Sequence, residues 1–329
     1  MGIKNLRRIQ IGAESTAGTA VAATAKLRMM GTLEDQREVM FAEENVGYLS
    51  GVDRTYIPKL LAALSVEGEA TFEQLPYLLN AGIELSAGVQ DGAGSGYVYT
   101  YDLPTTAQNT LKTYTIEGGD DIQAEEVEYA FVENLVVSGA PGEAWKVKAD
   151  WLGRQVSKTT FTASLGLDTV EEILFSKTKL YIDAATGTIG TTLKSSTLLG
   201  AELSIKTGWV PVFTGDGNLY FTFTKCVDPE AVLKVTFEHN ATAVAEKDAW
   251  IAQTARVIRL IAQGAALGTG ATYDYKTLQI DLAGKWEKFE KIDEQDGNDI
   301  VTGTFRARYN ADGDLFGQIL VVNELSALP

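Results

Sequence analysis

Along most of the chain, hydrophobic and polar residues alternate with period two, the spacing that sends successive side chains to opposite faces of a β-strand. "AWKVKADW" sets Trp145, Val147, Ala149 and Trp151 on one face against Lys146, Lys148 and Asp150 on the other. "TFRARY" repeats the pattern with Phe305, Ala307 and Tyr309 against Arg306 and Arg308, and "YVYTY" aligns Tyr97, Tyr99 and Tyr101. Further β-branched and aromatic runs, "LYFTFT", "LKVTF", "LQIDLAG" and "LSIKTGWVPVF", are divided by Gly, Asp and Asn turns. Many short strands with turn signals predict antiparallel sandwich or barrel sheets.

Two segments break this pattern. Thr71-Phe72-Glu73-Gln74 reads as a capping box, with Leu75, Leu78 and Leu79 turned inward and Gly82 as the stop. Pro76 suits the first turn of a helix that begins slightly later. From Asp248 to Gln263, residues Trp250, Ile251, Thr254, Val257, Ile258 and Ile261 recur at helical spacing, and Gly264 closes the segment.

The order of elements repeats. Each half runs through strands, one helix, a glycine-rich loop, a strand beginning Lys-Thr and a closing hairpin, although few residues match between halves. The chain therefore reads as a tandem duplication of one β-rich domain. The expected organisation is an N-terminal arm at 1–24, a first domain at 25–165, a linker at 166–177 and a second domain at 178–329.

Composition limits what such a chain does. With 329 residues, 45% hydrophobic and 22% charged, it has room for two ordinary folded domains. No apolar run approaches the roughly 18 residues that span a bilayer, and "MGIKNLRRIQIG" lacks the apolar core of a signal peptide, so no membrane partner is expected. Cys226 is the single cysteine, which excludes an intrachain disulfide and reads as a small hydrophobe on a strand. A net charge of −16 repels phosphate backbones and disfavours tight nucleic-acid binding, while allowing nucleic acid to pass nearby.

Catalytic chemistry finds no support. His239 is the single histidine and reads as a polar residue at a strand-to-helix junction; no G-x-S-x-G elbow accompanies it. One His and one Cys do not make the usual zinc shell. The acidic run Asp120, Asp121, Glu125, Glu126 and Glu128 lacks the calcium-loop spacing and reads as a solvated face. "DGAGSGYVY" and "QGAALGTGATY" lead into aromatic strands rather than helices, so they read as turns or mobile loops, not phosphate cradles. No enzyme activity, catalytic residue, cofactor or metal is expected.

Three stretches carry a resemblance: "IQIGAESTAGTAVAATAKLRMMGTLEDQ", "ENVGYLSGVDRTYIPKLLAALSVEGEATFEQLPYLLNAGI" and "VEYAFVENLVVSGAPGEAWKVKADWLGRQV". The most specific parts are Gly12, Glu14, Gly18 and Thr19, and the Ala-Thr-Phe-Glu-Gln-Leu-Pro run that opens the first helix. Together they cover most of residues 9–156 and resemble the major tail (tail tube) proteins of long-tailed bacteriophages. The second half resembles the family through its repeat of the first. The resemblance implies two tandem tail-tube-like β-sandwich domains, each with one flanking helix, whose inner sheets join into a ring-wide β-barrel. It implies stacked rings that surround a tape-measure protein and conduct double-stranded DNA. Six such domains usually form a ring, so two per chain imply trimers with pseudo-sixfold symmetry. The implied location is the virion tail, after synthesis in the host cytoplasm, with tail terminator and baseplate proteins as further partners.

Three segments are the candidate contacts between subunits. Residues 33–57 form a long charged stretch carrying Glu34, Asp35, Arg37, Glu38, Phe41, Glu43, Glu44, Tyr48, Asp53 and Arg54; a connection of that length is expected to be functional and to dock on the next ring. Its expected counterpart in the second half is 184–198, with Lys194 as its one charge; the arm adds Arg7 and Arg8. An acidic lumen is expected to let DNA slide. The alternatives are another tail ring component, either terminator or baseplate hub, and a carbohydrate-binding or adhesin module.

Overall fold

The computed structural model describes residues 2–328; Met1 and Pro329 lie outside the described residues. The described residues are mainly β, with two α-helices among them. The first half contains β1 (Arg8–Ala13), β2 (Ala25–Leu27), β3 (Met30–Asp35), β4 (Met40–Glu43), β5 (Val52–Tyr56), β6 (Ala62–Glu69), α1 (Leu75–Gly82), β7 (Val89–Gln90), β8 (Tyr97–Asp102), β9 (Tyr114–Gly119), β10 (Ala124–Gly139), β11 (Lys146–Gly153) and β12 (Val156–Thr159). The second contains β13 (Thr178–Ala184), β14 (Leu198–Lys206), β15 (Trp209–Val212), β16 (Phe223–Cys226), β17 (Glu230–Glu238), α2 (Ala241–Ile251), β18 (Arg256–Ala266), β19 (Tyr275–Phe289), β20 (Asp293–Gln295), β21 (Asn298–Ala307) and β22 (Gly317–Asn323).

The pairings of the first half recur in the second. β9 joins β1 to the start of β10, and β18 joins β13 to the start of β19. β10 pairs β12 along its first part and β11 along its last, as β19 pairs β22 and then β21. The order β11-β6-β3 is matched by β21-β17-β14. Each long strand passes from one sheet to the other through a bulge, at Glu133 in β10 and Glu287 in β19. A bulge of this kind bends a strand enough to serve two sheets. Both helices follow the matching strands, β6 and β17.

The halves are joined by hydrogen-bonded strands. β10 pairs β14 from Asn134↔Lys206 to Gly139↔Ala201, and β22 pairs β8. One sheet therefore runs β3-β6-β11-β10-β14-β17-β21-β19 without interruption. Among the described residues it stays open and closes no barrel. Its inner face contributes Leu64, Val66, Val147, Leu135, Leu203, Leu233 and Phe305 to one hydrophobic core containing residues from both halves.

"AWKVKADW" behaves as its alternation requires: Val147, Ala149 and Trp151 are buried in β11 and Lys146 and Lys148 exposed. The first helix begins at Leu75, with Pro76 in its first turn and Thr71 Oγ1 accepting from the Gln74 N–H at 3.2 Å. The second helix departs from expectation. It spans Ala241–Ile251, where Asn240 Oδ1 caps Thr242 N at 2.9 Å and Ala243 N at 3.3 Å. Val257, Ile258 and Ile261 lie instead on β18, and Gly264 is a strand residue. A strand buried on both faces presents a continuous apolar run, which spacing alone does not separate from a helix.

Other expectations are also corrected. Arg8–Ala13 is no arm but the inner strand β1, flanked by β2 and β9, with Ile9 and Ile11 buried. The closing pair β21 and β22 is no hairpin; both strands pair with β19. Residues 33–57 are not one irregular stretch, because Glu34 and Asp35 end β3 and Met40–Tyr56 folds as the β4–β5 hairpin. Its counterpart is not 184–198. Between β14 and β17, where β4–β5 lies between β3 and β6, stands the β15–β16 hairpin. Lys194 sits in the β13–β14 connection, its N–H donating to Leu180 O at 2.8 Å.

Candidate functional site

The Gly12–Thr19 stretch around Glu14 is a buried polar clamp. The Glu14 carboxylate is 2% exposed and accepts from Gly18 N (2.8 Å), Thr113 Oγ1 (2.7 Å), Thr115 Oγ1 (3.1 Å) and Tyr129 N (2.8 Å). Tyr129 has φ of 55°, so the clamp secures an unusual turn in β10. Gly18 adopts φ of 79° directly beneath Arg154. Gly18→Ala should therefore destabilise by about 1–2 kcal/mol, read as a lower denaturant midpoint with unchanged slope.

The motif opening α1 ties the two halves together. Lys276 of β19 lies 2.7 Å from Glu73, 3.3 Å from Glu324 and 3.6 Å from Glu171. Glu73 also accepts from Glu171 N at 2.8 Å, and Phe72 O accepts from Asn323 Nδ2 at 2.8 Å. Gln74 bridges Arg28 N and Lys26 O, both at 2.8 Å. The glycine-rich loops also meet. The Asp91 carboxylate accepts from Thr272 N (3.0 Å) and Tyr273 N (2.6 Å), and Ser95 Oγ donates to Leu267 O. They are docked turns rather than open cradles.

The residues examined for chemistry remain scattered. His239 stands between β17 and α2, its N–H donating to Asp299 O at 2.9 Å. Burial, with Asp228 nearby, pushes the Cys226 thiol up, away from the reactive thiolate. Hydrogen bonds from Ile122 N and Gln123 N hold Asp120 below the usual carboxylate range, as a turn-capping group. Among the described residues no group of three His, Cys, Asp or Glu side chains could hold a metal ion.

What stands out is the open ends of the continuous sheet. Among the described residues β3 pairs only with β6, leaving its outer edge free, with Met30, Thr32, Glu34 and Asp35 exposed. At the opposite end, Lys285–Phe289 of β19 pairs with β21 on one side. Trp250 Nε1 donates to the bulge carbonyl of Glu287 at 3.0 Å. At the matching bulge inside the sheet, Glu133 O accepts from Thr207 N and Oγ1, both supplied by the residue after β14.

The two inserted hairpins have opposite fates. β15–β16 folds back onto the first half, where Phe221 is buried against Tyr129 and Phe131 with ring centroids 5.0 and 6.0 Å away. Arg154 lies 4.9 Å from the Tyr220 ring and donates to Phe221 O at 3.0 Å and Thr222 O at 2.8 Å. β4–β5 has no such seat; Phe41 is 64% exposed, Tyr48 70% and Tyr56 56%.

The charged candidates cluster there. Arg37 pairs with Asp35 at 3.0 Å, Arg54 Nε donates to Glu44 at 2.9 Å, and Glu38, Glu43 and Asp53 are exposed. Arg7 is exposed next to the start of β1, and the Arg8 guanidinium stacks 4.0 Å over Phe161. Arg7, Arg8 and Lys194 are not part of this cluster. Sequence reading marked the runs holding β15 and β16 as strands but missed their pairing as a hairpin and its seat on Arg154; the signal was an arginine at the same place after two matching strands, Arg154 after β11 and Arg308 after β21. The sequence matches no protein-family model and no curated protein.

Proposed function

We propose that the chain is a structural virion protein: two tandem tail-tube-like β-sandwich domains whose copies close into rings and stack into a bacteriophage tail tube. It carries no catalytic role in this reading. The observation that supports it is the continuous eight-stranded sheet, in which β10 and β14 already join one half to the other edge to edge. The free outer edge of β3 is topologically the edge that β14 offers to β10. The free stretch of β19 is the edge that β10 offers to β14. A joint that works once within the chain is thus available, unfilled, at both ends of the sheet. Pairing β19 of one copy with β3 of the next buries both edges and removes an aggregation liability. Head-to-tail contacts of this kind close when the rotation permits, and three chains then supply six domains.

In this assembly the exposed face of the sheet is the tube wall. Its charges alternate in sign across the strands: Glu69 faces Lys146, Glu67 faces Lys148, Glu202 faces Lys234 and Glu230 faces Lys206. The acidic lumen expected from net charge gives way to a balanced wall, which offers DNA no continuous row of cations to neutralise its phosphates. A tape-measure protein would fill the tube during assembly, with terminator and baseplate proteins at its ends.

The test is negative-stain microscopy combined with amide exchange on the purified protein. Tubes are expected, with exchange slowed at residues 31–35 and 288–292 relative to the unassembled chain. Single rings would select a terminator or baseplate role, and monomers that bind glycans an adhesin module. Tubes in which those two stretches exchange freely would reject the edge assignment. Deleting residues 36–54 should leave folded, soluble subunits that do not polymerise.

A further inference from the structure

We infer that the β4–β5 hairpin is a clasp for a second copy of this chain, seated laterally around Arg308 of its neighbour; this rests on the ring reading above. The argument is the contact that the chain makes with itself. β15–β16 reaches across the β10–β14 joint and grips Arg154, the residue that follows β11 by one position. β4–β5 occupies the same place in the first half, one joint further along. The residue that matches Arg154 is Arg308, which follows β21 by one position. Both arginines dock their N–H on the long strand: Arg154 on Glu128 O at 3.0 Å, Arg308 on Ala283 O at 2.8 Å.

The two sites differ in occupancy. Arg154 is held by two carbonyls and stands over aromatic rings, whereas the Arg308 side chain is exposed, with no hydrogen bond or ion pair among the described residues. The hairpin tips correspond as well. Leu219-Tyr220-Phe221 provides the ring and the carbonyl that Arg154 meets, and Tyr48-Leu49 at the tip of β4–β5 is uncovered, at 70% and 109% exposure. An arginine over a tyrosine face gains from the ring quadrupole when both leave water.

Charge is compatible with the same partner. The hairpin exposes Glu43 and Asp53 while its Arg54 is held by Glu44, and beside Arg308 stands Lys285, which has no ion pair among the described residues, whereas Arg306 is already paired with Glu230 and Glu287. Tyr129 and Phe131, the platform under Phe221, correspond to Ala283 and Lys285, so this second seat is more polar than the first. The clasp therefore adds orientation within a ring, rather than docking on the next ring as the sequence suggested.

Disulfide trapping tests it. In a Cys226→Ser background, Tyr48→Cys and Arg308→Cys chains would be mixed, assembled and oxidised. The expected product is an intermolecular dimer of one chain of each kind, formed only in assembled material. Arg308→Ala, on a surface residue, is expected to raise the concentration needed for assembly at least tenfold, with Arg308→Lys intermediate. Tubes or rings that form normally and give no 48–308 cross-link would overturn the clasp and leave the ring reading standing. Unmodified protein that never assembles would overturn both.

Discussion

Replacing Lys276 by methionine should destabilise the protein by about 3–5 kcal/mol, the scale for removing one partner of a buried ion pair. Its side chain is 11% exposed and that of Glu73 7%, so the variant strands a carboxylate where water barely reaches. Glu171 and Glu324 are more exposed, at 27% and 60%, and add less. The measurement is a urea titration followed by a double-mutant cycle with Glu73→Gln. A coupling energy near zero would mean the pair does not bind the halves together. The pH dependence follows in sign. Burial by itself would lower the amine's pKa, but the hydrogen bonds and charges of Glu73 and Glu324 overrule it and hold it above the ordinary lysine value. A raised folded value means the contribution is complete below the unfolded pKa of about 10.4 and fades as pH climbs through the folded one. The gap between wild type and variant should hold steady from neutral to mildly alkaline pH and narrow only in strong alkali.

Glu14→Ala is expected to cost at least about 3 kcal/mol for a different reason. Its carboxylate is the shared acceptor for two backbone N–H groups and two hydroxyls, and alanine leaves all four without it inside the first half. Glu14→Gln keeps one acceptor oxygen but points an amide N–H₂ at the remaining donors, so it should recover only part of the loss. Near-ultraviolet circular dichroism adds a second reading, because Tyr129 and the Arg154–Phe221 contact sit on the turn that Glu14 holds. Wild-type stability in Glu14→Ala would mean the clamp is dispensable.

The strands were legible where one face is buried and the other wet, as in β11, because period two then has a single explanation. The order of elements was enough to suggest a repeat, and the pairings of β9–β12 and β18–β22 repeat in kind. Legibility failed at β18, buried on both faces over Val257 and Ile258, where apolar spacing loses its meaning. It failed again at the seat of β15–β16: Arg154 lies 67 residues before Phe221, and no local pattern marks it as the residue the hairpin grips. Matching by position in the chain placed the counterpart of 33–57 at 184–198. Matching by strand order places it at 207–229, since order is what the sheet preserves while connections drift in length. The Glu14 and Glu73 motifs were visible as patterns, but apart from Gly18 the partners through which they hold a turn and a domain joint lie from 98 to 203 positions away.

The joint between β10 and β14 is made inside one polypeptide, through residues 140–197, so it forms whatever the dilution. A covalent link of this kind acts as an effective concentration of roughly millimolar scale. A gap between separate chains has no such help and closes only as subunits accumulate. In the proposed ring, carrying two units on one chain would therefore halve the number of encounters needed to complete a circle, and leave protein abundance in control of the rest.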